Sequence, residues 1–149
     1  MNFKSTRMKV ALAAGAALGL SPTATATVSA QARATPHVVV TPAADLPENA
    51  TVTVELSGFE PESAVFVRQC AQLAPDVRGC DYTNTQSLNL DNEGYSVTAI
   101  TVHRVFEAHD GNGESIGEVD CAKIKLGCTV SAGHFEAGAD ASISFAGAQ

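Results

Sequence analysis

The chain has 149 residues, with nine Lys or Arg against sixteen Asp or Glu and a net charge of −7 at pH 7. That balance excludes a protein that grips the nucleic-acid backbone directly, because such binding needs a basic face. The length suits one domain once a leader is set aside.

Residues 1–32 read as a secretory signal. Lys4, Arg7 and Lys9 make a basic start, and the apolar run 10–20, VALAAGAALGL, is too short to span a bilayer comfortably. Small residues offer cleavage after Ala26, Ala32 or Ala34, and Ala32 is the site we favour. Three of the nine basic residues leave with the leader and none of the sixteen acids does, so the net charge falls from −7 to −10 with His neutral. The processed domain, 33–149, is then expected to be extracellular.

After a loose start, residues 37–41 form a β-branched run that Pro42 ends or confines to a sheet edge. A loop with Asp45, Pro47 and Asn49 follows. Residues 51–57 alternate, with Val52, Val54 and Leu56 on one face and Thr51, Thr53 and Glu55 on the other, the mark of a half-buried strand. The next strand, 63–70, puts Val65, Val67 and Gln69 on one face and Ala64, Phe66 and Arg68 on the other. Residues 71–79 read as a loop. Residues 85–90 read as a short strand, and Asp91-Asn92-Glu93-Gly94 as the turn into a long strand, 95–103, with Ile100 and Val102 in the core phase. From Ile100 to Cys121 the pattern is a β-arm, a protruding loop at His109-Asp110-Gly111-Asn112-Gly113, and a return. Residues 129–132 and 141–145 close the set, with Ile143 and Phe145 as a core pair. Many short strands, regular turns and no amphipathic helix indicate an all-β, immunoglobulin-like antiparallel sandwich.

Four cysteines, Cys70, Cys80, Cys121 and Cys128, form an even set in a chain expected to be exported, which points to disulfides. Three pairings are open. The short-loop pairing is the simplest, and on the chain-entropy model each bridge would contribute about 2.5–3 kcal/mol. The spacings do not suit a zinc site.

Little else suggests chemistry. His37, His103, His109 and His134 are scattered, and no Ser lies in a nucleophile-elbow context. The run Asp110-Gly111-Asn112-Gly113-Glu114 begins like a calcium loop, but the sixth and twelfth positions are Ser115 and Cys121, so a hairpin loop explains it better. Glu107 and Asp110 read as a solvated acidic loop rather than a catalytic pair. No catalytic residue, metal or enzymatic activity is expected.

Several motifs in order carry a resemblance. They are Val40-Thr41-Pro42, Gln69-Cys70-Ala71 with Cys80, Thr101-Val102, Arg104, Phe106-Glu107, Gly113, Gly117, Val119-Asp120-Cys121, and 141–145 (ASISF). Together they resemble the neocarzinostatin family of chromoprotein apoproteins over the whole processed domain. The resemblance implies a seven-stranded sandwich with a small two-stranded lobe and sequential disulfides, Cys70–Cys80 and Cys121–Cys128. It also implies a secreted, monomeric carrier that holds and stabilises a non-covalent enediyne-type chromophore in a cleft. DNA would be contacted by the released chromophore and not by the acidic protein, and no membrane would be involved after signal cleavage.

The departures from the family's pattern fall in the cleft. Positions that are aromatic, aliphatic or glycine in the type member are here Gln72, Arg78, Thr85, Gly111 and Arg68. Those five residues are the candidate ligand set, with Phe135 as an aromatic replacement, and flat ligands draw much of their grip from aromatic contacts. Arg68 and Arg78 would favour an anionic or strongly polar ligand group, unless they pair with surface acids. The alternative function is a secreted Ig-like binding module that has lost the chromophore.

Overall fold

The computed structural model describes residues 34–134 and 137–147, so the expected leader lies outside the described residues. Ten strands run through them: β1 (His37–Thr41), β2 (Asn49–Ser57), β3 (Ala64–Ala74), β4 (Val77–Cys80), β5 (Gln86–Asn89), β6 (Ser96–His103), β7 (Val105–His109), β8 (Ser115–Asp120), β9 (Cys128–His134) and β10 (Ala137–Ile143). All ladders are antiparallel. One sheet is ordered β1-β2-β6, and the other β10-β9-β3-β4-β7-β8, with β5 also paired to β3.

Side-chain alternation decides which faces meet. Val38 and Val40 on β1, Val52, Val54 and Leu56 on β2, and Ile100 and Val102 on β6 point inward from the smaller sheet. Val65, Val67, Ala71, Val130, Ala132 and Ile143 answer from the larger one, and all join one buried cluster. The cluster is the middle of an immunoglobulin-like sandwich built from β-branched residues on pleated faces. The period-two reading of 51–57 and the core phases of Val65, Val67, Ile100 and Val102 agree with this. Phe145 is buried beyond β10, beside Leu46, with which it forms an isolated bridge.

Two segments differ from the sequence reading. Residues 71–79, expected as a loop, continue β3 and return as β4, with Cys70 opposite Cys80 and Ala71 opposite Gly79. Small residues make this hairpin possible. Gly79 is buried, and a Cβ there would lie 2.7 Å from both the Ala108 Cβ and the Ile116 Cδ1 of the neighbouring hairpin. Gly79→Ala should therefore cost about 1–2 kcal/mol by overpacking. Urea unfolding checks this, and faster amide exchange at His109, which bridges to Cys80 in the same ladder, would place the loosening.

The arm from Ile100 to Cys121 is also not continuous. The chain leaves the smaller sheet at His103 and enters the larger one at Val105, so the switch falls on Arg104. Four links hold this corner. The Arg104 N–H donates to the Glu48 carbonyl at 2.8 Å, and the Cys121 N–H donates to the Arg104 carbonyl at 2.8 Å. The Arg104 guanidinium forks onto Asp120, with Nε 3.0 Å from Oδ1 and Nη2 3.1 Å from Oδ2. Gln69, a fully buried polar side chain, donates from Nε2 to the His103 carbonyl at 2.6 Å and accepts the His103 N–H at 2.8 Å. Its amide thus pairs with a backbone unit as a neighbouring strand would.

The fork has a titration consequence. Hydrogen bonding from Arg104, then from the Ala122 N–H, outweighs burial and lowers the Asp120 carboxyl from its ordinary 3.8 to about 2. A carboxyl depressed in the folded state stabilises the fold above its unfolded pKa, and that contribution disappears as pH falls through the folded value. Acid unfolding should therefore steepen between about pH 4 and 2. Asp120→Asn should flatten that limb in equilibrium melts. An unchanged acid limb would show that the fork contributes nothing there.

Amide side chains also close the open edge of β6. Gln86 Nε2 donates to the Ala99 carbonyl at 3.0 Å, Thr98 Oγ1 donates to Gln86 Oε1 at 2.9 Å, and Asn84 Nδ2 donates to the Thr101 carbonyl. The bonds from Gln86 and Asn84 satisfy backbone carbonyls that would otherwise template another strand.

Candidate functional site

The outward face of the larger sheet holds the candidate site. On β3 the residues opposite in phase to Val65 and Val67 are Phe66, Arg68 and Cys70. Register on β9 sets Gly133 beside Phe66, Ser131 beside Arg68 and Thr129 beside Cys70. Register on β10 extends the same rows with Gly138 beside Gly133 and Asp140 beside Ser131. Two adjacent glycines next to an aromatic leave a hollow where side chains would otherwise stand. The resulting cleft encloses about 440 Å³ and is lined by Phe66, Arg68, Arg78, the Cys70–Cys80 disulfide, Ser131, Gly133, His134 and Gly138. That volume lies within the ordinary range for small-molecule sites.

Its two arginines are held differently. Arg78 meets Asp140 with a fork, Nη2 to Oδ1 at 2.5 Å and Nη1 to Oδ2 at 3.1 Å. Arg78 Nη2 also donates to Ser131 Oγ at 2.8 Å and Thr129 Oγ1 at 3.3 Å, and Ser131 Oγ donates to Asp140 Oδ1 at 2.6 Å. Burial pushes the Asp140 carboxyl up, but the hydrogen bonds from Arg78 and Ser131 and the Arg78 charge bring it below the usual carboxylate range. The pair is partly exposed, so it orients these groups more than it stabilises the fold.

Arg68 is held by rings. Its guanidinium carbon lies 4.8 Å from the Tyr82 ring centroid and 5.8 Å from that of Phe66. Tyr82 in turn stacks on His109, centroids 5.7 Å apart and planes 13° apart. A buried carboxylate steadies the segment that carries Tyr82: Asp81 Oδ1 accepts the Thr83 N–H at 3.0 Å, the Thr83 hydroxyl at 2.7 Å and the Asn84 N–H at 3.2 Å. The stack is thereby anchored at the end of β7, where the β7–β8 hairpin joins the sheet.

Of the candidate ligand residues, Arg68 and Arg78 line the cleft. Gln72 lies opposite Arg78 in register, but its amide turns back to the Ala74 and Pro75 carbonyls at 2.7 and 3.1 Å. Thr85 directs its hydroxyl to the Asp81 carbonyl at 3.3 Å. Gly111 is exposed in the turn between β7 and β8, and neither it, Gln72 nor Thr85 lines this cleft. Phe135 lies outside the described residues. Sequence reasoning missed Phe66, Ser131, Gly133, His134 and Gly138. The strand phase already placed Phe66 on the face of Arg68, but the glycine pair needs the β9–β10 register to be seen.

The acidic loop behaves as a turn. Asp110 Oδ1 accepts the N–H groups of Asn112 at 2.8 Å and Glu114 at 3.0 Å, and these bonds, that from Glu114 foremost, lower its carboxyl below the ordinary range. No group of three or more His, Cys, Asp or Glu among the described residues is arranged to hold a metal ion.

Comparison with known proteins bears on what this cleft belongs to. Macromomycin of Streptomyces macromomyceticus is 34% identical over 134 residues, covering 89% of this chain and 92% of that protein. Apokedarcidin, from an actinomycete, is 34% identical over 97 residues, 64% of this chain and 84% of its own. The antitumor antibiotic C-1027 apoprotein of Streptomyces globisporus is 27% identical over 119 residues, 80% of this chain and 78% of that protein. The solved structure of macromomycin superposes with a TM-score of 0.70 at 36% identity, covering 74% of this chain and 99% of its own. Residues 38–145, nearly the whole described domain, match the model of the neocarzinostatin family, and the chain belongs to that family.

Proposed function

We propose that this protein is a secreted, non-enzymatic carrier. It binds and stabilises a small, enediyne-like chromophore non-covalently in the cleft bounded by Phe66, Arg68, Arg78, the Cys70–Cys80 disulfide, Ser131, Gly133, His134 and Gly138. The chromophore, once released, acts on DNA, while the acidic protein itself stays off the nucleic acid. Residues 1–32 direct export and are removed, and the processed chain works as a monomer without a metal.

The observation that carries the reading is the hollow made by Gly133 and Gly138 beside Phe66, in a relative of the C-1027 apoprotein. A rigid sheet face with a ring on one side and a disulfide on the other can shield a reactive flat ligand from water. The polar lining, Arg68, Arg78, Ser131 and His134, favours a second reading, a binding module that kept the sandwich without this cargo.

Thermal unfolding of the purified domain separates the two readings. A cargo that binds only the folded state raises the melting temperature by mass action. A fraction of the producing culture's solvent extract should raise it and acquire protection from light-driven bleaching. If no fraction shifts the transition, the carrier reading fails.

A further inference from the structure

We infer that the cargo of this cleft carries an anionic oxygen group, a carboxylate or ionised enol, on a flat ring, and that Arg68 is the residue that selects it. The inference rests on the carrier reading and narrows it to a ligand class.

The two arginines of the cleft are not equivalent. Arg78 is matched by Asp140 through a fork and by two hydroxyls, which occupy most of its donors. Arg68 lies over the Phe66 and Tyr82 rings and donates no hydrogen bond to another described residue. No carboxylate among the described residues lies within ion-pair distance of Arg68. A guanidinium whose N–H groups are left undonated can take two oxygens of a carboxylate at once. Its rotamer freedom is already reduced by the two ring contacts, so less is lost on binding.

The neighbours define the rest of the ligand. Phe66 is 37% exposed and faces the space left by Gly133 and Gly138, room for a ring to lie against a ring. Ser131 stands next to Arg68 in register. The chain as a whole is acidic, at −7, so its long-range field repels anions. Selection must then come from the local contact, and should appear as a difference in affinity between an acid and its neutral isostere.

The test uses the disulfide-intact protein and two fluorescent probes of one shape, 9-anthracenecarboxylate and 9-anthracenecarboxamide. The acid should bind about tenfold or more tightly than the amide, as expected when a charged hydrogen bond is gained. Arg68→Met should weaken the acid far more than the amide and bring the ratio near one. Arg68→Lys, which keeps the charge without the fork, should retain part of the preference. This result decides the matter if Arg68→Met does not fold. Equal binding of both probes to the unaltered protein, or a preference that survives Arg68→Met, overturns the inference and leaves the carrier reading standing. Failure of both probes to bind counts against the cleft as a flat-ligand site, and the inference falls with it.

Discussion

Replacing Gln69 with leucine should lower the unfolding free energy by about 2–4 kcal/mol, although leucine is similar in size and more apolar. The reason is the partner left behind. Gln69 is fully buried, and its amide satisfies both the carbonyl and the N–H of His103. Leucine would strand both backbone groups, and an unsatisfied buried polar group costs roughly 1–3 kcal/mol. The site is also where the chain changes sheets, and Gln69 Nε2 lies 3.3 Å from Cys121 Sγ, so the loss falls beside the second disulfide. Gln69→Glu is the informative companion. It keeps an acceptor for the His103 N–H but loses the donor to the carbonyl, and it should be destabilised most at neutral pH, where the buried carboxylate is charged. Urea denaturation of both variants checks this. A Gln69→Leu protein within about 0.5 kcal/mol of the parent would mean that water replaces the amide at the corner.

The Cys70→Ala/Cys80→Ala double variant should lose about 3 kcal/mol of stability and also lose ligand binding. The stability term follows from a bridge with a sequence separation of 10, for which loop-closure entropy gives about 2.7 kcal/mol. The binding loss has a separate cause. The bridge joins β3 to β4 directly across the ladder and forms part of the cleft wall, with Arg78 two residues before Cys80 on the same strand. The Cys121→Ala/Cys128→Ala variant provides the contrast. Its bridge, of separation 7, lies away from the cleft, so stability should fall by about 2–2.5 kcal/mol with binding kept in whatever protein remains folded. Chemical denaturation and probe titration on both proteins distinguish the two roles. Equal binding by both variants would remove the first disulfide from the site.

The fold was legible where one side-chain face is buried and the other is wet. Residues of β2 alternate so regularly that their phase follows from sequence alone, and the same holds for Val65, Val67, Ile100 and Val102. The β3–β4 hairpin was hidden because residues 71–79 hold a single β-branched residue, Val77, and Pro75-Asp76 reads as a loop signal. What forms that hairpin is tertiary: the bridge and the close approach of Ala108 to Gly79. The sheet switch at Arg104 was hidden for the opposite reason. The run through Ile100, Val102 and Phe106 has no glycine or proline to mark a break, and the corner is set by contacts from Gln69, Glu48 and Asp120, distant in sequence.

The cleft was half legible. Strand phase put Arg68 on the outward face, and the register of β4 adds Arg78. Gln72 and Thr85 were nominated by resemblance, but each finds a local carbonyl for its side chain, which is how polar residues near turns commonly behave. The hollow itself arises from two glycines brought together by pairing β9 with β10, a relation that no single stretch of sequence displays.

The carrier account is tested most directly by native mass spectrometry of the protein purified, dark and cold, from the strain that makes it. The account predicts a species heavier than the two-disulfide processed chain, with an added near-ultraviolet absorbance, that returns to the bare mass on solvent extraction. A bare mass from the outset, in protein that also takes up no extract component, would contradict it.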